Sequence, residues 1–206
     1  MDNDALCLTT HALCALRVVP KPEVLARHRP RGFGKFLWRL LDFGDEMVVA
    51  TGRGSKSAIV MRRHDGSVVK RLRIVYPQAS IRLDDSTVRL LSFHGEEAAD
   101  YELSSLQCET RHPLPLGTTP AVASEEIYVL TGSRVSADGE IPVARLWDVL
   151  PKQIVAIARA DLSVKRSAPV AFGARNVLGI DNGTLIVSTD TGLRLIRVRG
   201  CQKTCN

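Results

Sequence analysis

The stretch VARLWDVLPKQIVAI, Val143–Ile157, holds two short apolar runs on either side of Pro151-Lys152-Gln153, with a Trp147-Asp148 pair inside it. Short runs rich in Val, Ile and Leu, bounded by Pro, Asp and Gly, read as strands. The stretch therefore predicts strand, turn at 151–153, and strand. The same form appears upstream in SAIVMRRHDGSVVKRLRI, Ser57–Ile74, with its turn at Asp65-Gly66. It appears again downstream in TLIVSTDTGLRLIRV, Thr184–Val198, with its turn at Asp190-Thr191-Gly192. The aspartates at 65, 148 and 190 are separated by 83 and 42 residues. A repeat of about 42 residues places one more unit near position 106. There ADYELSSLQCETRH, Ala99–His112, reads strand, Ser104-Ser105 turn, strand, without the aspartate.

A second ladder runs beside the first. EMVVAT (46–51), TVRLLSF (87–93) and EIYVLTG (126–132) each follow an acidic turn, and NVLGID (176–181) comes fourth after a longer connection. KFLWRL, ASIRL, PAVAS and PVAFG precede these runs. The repeating unit thus contains four short strands and recurs four times. A sheet of that size cannot bury both faces alone and must stack on its neighbours. Units of this length with four strands are the signature of propeller blades. The expected fold is all-β, an array of about four four-stranded antiparallel blades. The blades are expected at residues 35–76, 77–117, 118–160 and 161–198, after a half-blade and basic linker at 1–34 and before a tail at 199–206.

VARLWDVLPKQIVAI resembles the third and fourth strands of a WD-repeat β-propeller blade, with Trp147 and Asp148 at the corner and Lys152 in the turn. Asp65 and Asp190 match that corner by spacing. The resemblance covers about three quarters of the chain as pattern, yet only one unit carries the Trp-Asp pair, and the Gly-His dipeptide of the family is missing. A degenerate WD-like propeller is the expectation, with these residues as structural corners. Four blades are the lower end of the propeller range, so three arrangements stay open. The chain closes as a small ring, is completed by a partner or a second copy, or is part of a longer propeller.

The chain has 206 residues, 45% of them apolar and 24% charged, as in ordinary globular proteins. No apolar run approaches the ~18 residues of a membrane-spanning helix. The N-terminus lacks a basic stretch before its first apolar residues, so a cytoplasmic or nuclear location without a signal peptide is expected. Five cysteines, Cys7, Cys14, Cys108, Cys201 and Cys205, read as reduced thiols. Cys7, His11 and Cys14 do not have a zinc-site spacing, so no metal and no cofactor are expected. The net charge of +6 resides in residues 17–41, where seven Lys and Arg stand against Glu23.

No nucleophile elbow, phosphate loop or metalloprotease motif is present. RGFGK (31–35) and TGRGSK (51–56) read as flexible hairpin loops. The distinctive candidate is RHRPRGFGKFLWRL (27–40), in which Arg27, Arg29, Arg31, Lys35 and Arg39 interleave with Phe33, Phe36 and Trp38. Cations beside aromatics hold phosphates and stack on bases. The plainer reading makes Phe36 to Leu40 the first strand of blade one. The leading functional expectation is a non-catalytic protein-interaction scaffold within a larger complex. The rival is an RNA-associated protein that binds through Arg27–Arg39. A propeller enzyme with polar residues in an axial channel is the third.

Overall fold

The structure, a computed structural model, describes residues 4–8, 13–17, 23–28, 37–52, 57–134, 149–170 and 173–198. Every element among them is a β-strand. Contacts divide the chain into two compact units, Met1–His112 and Pro113–Asn206.

The first unit contains three antiparallel sheets in chain order. β1 (Asp4–Leu8), β2 (Leu13–Arg17) and β3 (Glu23–His28) form the first. β4 (Leu37–Asp42), β5 (Met47–Gly52), β6 (Ala58–Arg62) and β7 (Val68–Leu72) form the second. β8 (Ala79–Arg82), β9 (Thr87–Ser92), β10 (Glu97–Glu102) and β11 (Cys108–Pro113) form the third. Both faces of β4–β7 are apolar, because consecutive residues of β5 and β6 are apolar and their side chains alternate across the sheet. One face, with Val49 and Val60, packs with Val88, Leu90, Ala99 and Tyr101 of the next sheet. Phe43 meets the Tyr101 ring edge-on there, with centroids 6.0 Å apart. The other face is built on Val48, Ala50, Ile59 and Met61. β5 and β6 are short and mostly apolar, so stacking of sheets is what hides them.

The second unit holds a four-stranded sheet of β12 (Ala121–Val122), β13 (Glu126–Arg134), β14 (Val149–Ala158) and β15 (Val164–Pro169). A three-stranded sheet of β16 (Ala174–Asp181), β17 (Thr184–Thr189) and β18 (Gly192–Arg197) follows. Tyr128, Leu130 and Ala156 of the former pack with Val177, Leu185 and Val187 of the latter.

The turn expected at Pro151-Lys152-Gln153 is not there, and residues 149–158 form one continuous strand. Its pairing slips between Thr131↔Gln153 and Gly132↔Pro151, which leaves Lys152 as the extra residue of a β-bulge. Proline cannot donate to a ladder, so inside a central strand it is confined to such a bulge. The hairpin between β14 and β15 turns at Asp161. Three hairpins share its geometry. The amides of Gly66, Leu106 and Leu162 donate four residues back to Arg62, Glu102 and Ala158. Those same three residues take positive φ. In each case the preceding Asp65, Ser105 or Asp161 side chain accepts the amide two residues on. Only one of the three uses glycine at the left-handed position. Leu106 tolerates it while packing into the core of its sheet pair.

One ion pair is buried in the third sheet. Arg89 and Asp100 face each other across β9 and β10. Arg89 donates Nε to one carboxylate oxygen at 2.7 Å and Nη2 to the other at 2.9 Å. His112 of β11 approaches the second oxygen at 3.2 Å. The side chains of Arg89 and Asp100 are only 5% and 10% exposed. Burial alone raises the carboxyl pKa, but the Arg89 hydrogen bonds and charge, with His112, outweigh it and hold Asp100 below the usual carboxylate range. Removing one partner strands the other charge. Asp100→Asn is therefore expected to destabilise the protein by about 3 kcal/mol or more, measured by chemical denaturation. The folded pKa is depressed, so this stabilisation is present above about pH 4 and is lost as pH falls through the lower folded value. A cost below about 0.5 kcal/mol for Asp100→Asn contradicts the assignment.

Candidate interaction surface

The last sheet differs from the four-stranded sheets at its outer edge. β7, β11 and β15 are the outer strands of their four-stranded sheets, and each carries an edge defence. β7 pairs through a register slip and carries Lys70 and Arg71. β11 is exposed and charged, and closes with Pro113. β15 pairs through a slip that leaves Lys165 extra, and ends at Pro169. Charges, prolines and bulges on edges discourage pairing with other chains. β18 carries Arg194 and Arg197 but none of the bulges or prolines. It pairs with β17 residue for residue, from Thr184↔Arg197 to Thr189↔Gly192, without a slip.

The direction of its free groups follows from one bond. The Val198 amide donates to the Gly183 carbonyl at 2.7 Å, so Val198 faces inward. Antiparallel ladders alternate, so Ile196 and Arg194 also face β17, while Arg197, Leu195 and Leu193 turn their N–H and C=O groups outward. No strand pairs with that edge among the described residues. The leucines are also bare, with Leu193 at 67% and Leu195 at 72% exposure. They share a face with Ile186, since Leu195 stands opposite it. Leu178 of β16, in the bulged register beside Ile186, is likewise exposed. An apolar row on an unbulged edge, unpaired among the described residues, makes this a candidate docking surface.

A cavity of about 290 Å³ lies between the two sheets of this unit, beside the C-terminal end of β18. Tyr128, Ile154, Ala156, Leu185, Ile196 and Val198 wall it, and Arg166 and Arg197 line it too. The Tyr128 hydroxyl donates to Glu126 and accepts from Arg166 at 3.0 Å. Arg166 also reaches Glu126 at 2.5 Å. Burial, then the bond to Glu126, pushes the Tyr128 pKa up to about 12. Burial does the same for Tyr101. A second groove, about 520 Å³, is lined by the bulge residue Lys152 with Thr131, Ser133 and Gln153.

The residues singled out in the sequence fall in several places. Arg39 lies in β4, half-buried, and donates to the Gln78 carbonyl. Arg27 is in β3 opposite Cys14, and Cys7 faces Cys14 across β1 and β2. Arg29, Arg31 and Lys35 lie outside the described residues, as do Trp147 and Asp148. Asp65 caps its hairpin through the Ser67 amide at 2.9 Å. Asp190 sits in the tight β17–β18 turn and pairs with Arg175 at 2.5 Å. Two features escaped the sequence reading. The Arg89–Asp100 pair shows only as charges inside otherwise apolar strands, and the free edge of β18 depends on what its neighbours leave uncovered.

No protein-family model and no curated protein sequence matches the chain. Solved structures do match. BamB from Moraxella catarrhalis superimposes with a TM-score of 0.59 at 13% identity, over 95% of this chain and 70% of that one. The WD40 domain of Neurospora crassa Pan2 gives 0.61 at 12% identity, over 95% and 59%. KlAtg21, solved in complex with a coiled coil of AgAtg16, gives 0.55 at 10% identity, over 95% and 63%. The fold is that of a degenerate β-propeller. The chain spans about three fifths of the Pan2 and KlAtg21 structures it matches.

The raised phenol values give a direct check on the core of each unit. A group whose folded pKa is raised contributes stability that is complete below pH 10 and is lost towards pH 12. Ultraviolet titration is expected to show late ionisation of two tyrosines, with Tyr101→Phe and Tyr128→Phe each removing one late step. Ionisation of both near pH 10 contradicts the packing described.

Proposed function

We propose that this protein is a non-catalytic interaction scaffold whose docking edge is β18, which takes an extended segment of a protein partner as a fourth strand. The observation that carries the reading is the unbulged edge, unpaired among the described residues, with Leu193 and Leu195 bare upon it. The three four-stranded sheets each cover their third strand with an antiparallel fourth, and no described strand takes that place on the last sheet. Strand addition draws affinity from main-chain hydrogen bonds and specificity from alternate side chains. Six residues of edge, roughly 20 Å, suit one such segment. The KlAtg21 structure, with its coiled-coil partner, supports a protein rather than a small molecule as the class of ligand.

RNA contact through Arg27, Arg29, Arg31, Lys35 and Arg39 is the alternative, and the bond from Arg39 to Gln78 occupies one of those cations within the fold. A single experiment separates the two. A photo-crosslinking residue at Leu193 is expected to capture protein in extract. Leu195→Pro, which removes an outward N–H, should reduce capture about fivefold. Val69→Lys on β7 should leave capture unchanged. Crosslinks to RNA, or capture indifferent to Leu195→Pro, contradict the reading.

A further inference from the structure

We infer that the cavity between the two C-terminal sheets is an anchor pocket that takes one apolar side chain of the segment docked on β18, beside an acidic residue of that segment. The inference rests on the strand-docking reading and adds the chemistry of the partner.

Three observations place the anchor there. The cavity is continuous with the proposed edge, because Ile196 and Arg197 of β18 and Val198 just beyond it line it. Its walls are apolar, with Ile154, Ala156 and Leu185 opposite them, and at about 290 Å³ it sits at the lower end of binding clefts. Its charged lining is positive on balance. Arg166 is already matched by Glu126 and the Tyr128 hydroxyl. Arg197, like Arg194 three pairs back along the same strand, makes no hydrogen bond or ion pair among the described residues. An occupant that fills the apolar walls and leaves Arg197 unmatched forgoes its strongest available contact, since charge-assisted hydrogen bonds are roughly twice as strong as neutral ones.

The direction of the segment follows from the sheets. Fourth strands here run antiparallel to the third. A strand added to β18 therefore begins beside Ile196 and Arg197 and ends beside Gly192. Successive side chains of a strand point to opposite faces. The anchor residue shares the face of Ile196, which stands opposite Leu185, and its acidic neighbour shares the face of Arg197. The partner motif is then an apolar residue flanked by Asp or Glu near the start of the strand, followed by apolar residues at every second position.

The test uses the full chain and two kinds of probe, read by two-dimensional NMR. The first probe is 3-phenylpropionate, with 3-phenylpropanamide as its uncharged counterpart. The acid is expected to shift Leu185, Ile196 and Val198, with a dissociation constant on the order of 1 mM. The amide and the Arg197→Gln variant should each bind about fivefold more weakly. Ala168→Phe, at an exposed lining position whose backbone it need not disturb, should abolish the shifts. The second probe is the acetylated and amidated peptide TEFEVTV, compared with TEAEVTV. The phenylalanine peptide should bind about tenfold more tightly.

No shift in the cavity residues at the solubility limit of the acid overturns the inference. Equal affinity of the two peptides, with shifts at Leu193 and Leu195, overturns the anchor while strand docking stands. Binding of the acid with no binding of either peptide overturns the assignment to a docked strand, and the scaffold reading at β18 with it.

Discussion

Short sheets that are apolar on both faces govern everything else in this protein. β5 and β6 carry Val49 and Val60 on one face and Val48, Ala50, Ile59 and Met61 on the other. No single sheet of four strands can bury two such faces, so each must be covered by a neighbour. The same demand explains why the buried ion pair of the third sheet is so closely matched. Arg89 and Asp100 lie on the face of β9 and β10 opposite Val88, Leu90, Ala99 and Tyr101, and each would be costly there without the other.

The repeat was visible because it is written in strand-and-turn punctuation, which is local. MVVATG, TVRLLS and EIYVLTGSR all became second strands of their sheets, and the hairpins at Asp65 and Ser105 lie where the spacing puts them. Pro151-Lys152-Gln153 misled for a physical reason. Proline is punctuation in most contexts, and a bulge opposite Thr131 and Gly132 lets a long strand absorb it. The chain turns instead at Asp161, whose carboxylate accepts the Ser163 amide just as Asp65 accepts that of Ser67. The turn chemistry was therefore legible, while Trp147 and Asp148 themselves lie outside the described residues.

The docking surface was legible only in part. The sequence TLIVSTDTGLRLIRV announces a hairpin, and the structure gives β17 and β18 joined at Asp190-Thr191. Whether Leu193 and Leu195 are core or bare depends on a fourth strand that no local pattern specifies. Arg166, Tyr128 and Glu126 likewise come together only because β13 and β15 flank β14. Long-range pairings of this kind escape a reading of one chain, while alternation and turns do not. The consequence for function is that the best-matched sequence motif, around Trp147-Asp148, and the candidate binding surface are separate parts of the chain.

The central claim is that β18 offers a regular, unpaired edge. Native-state hydrogen exchange on the dilute monomeric chain reads it amide by amide. The account predicts protected amides at Arg194, Ile196 and Val198, and rapid exchange at Leu193, Leu195 and Arg197. Comparable protection at all six would show that the edge is already covered, and would contradict the account.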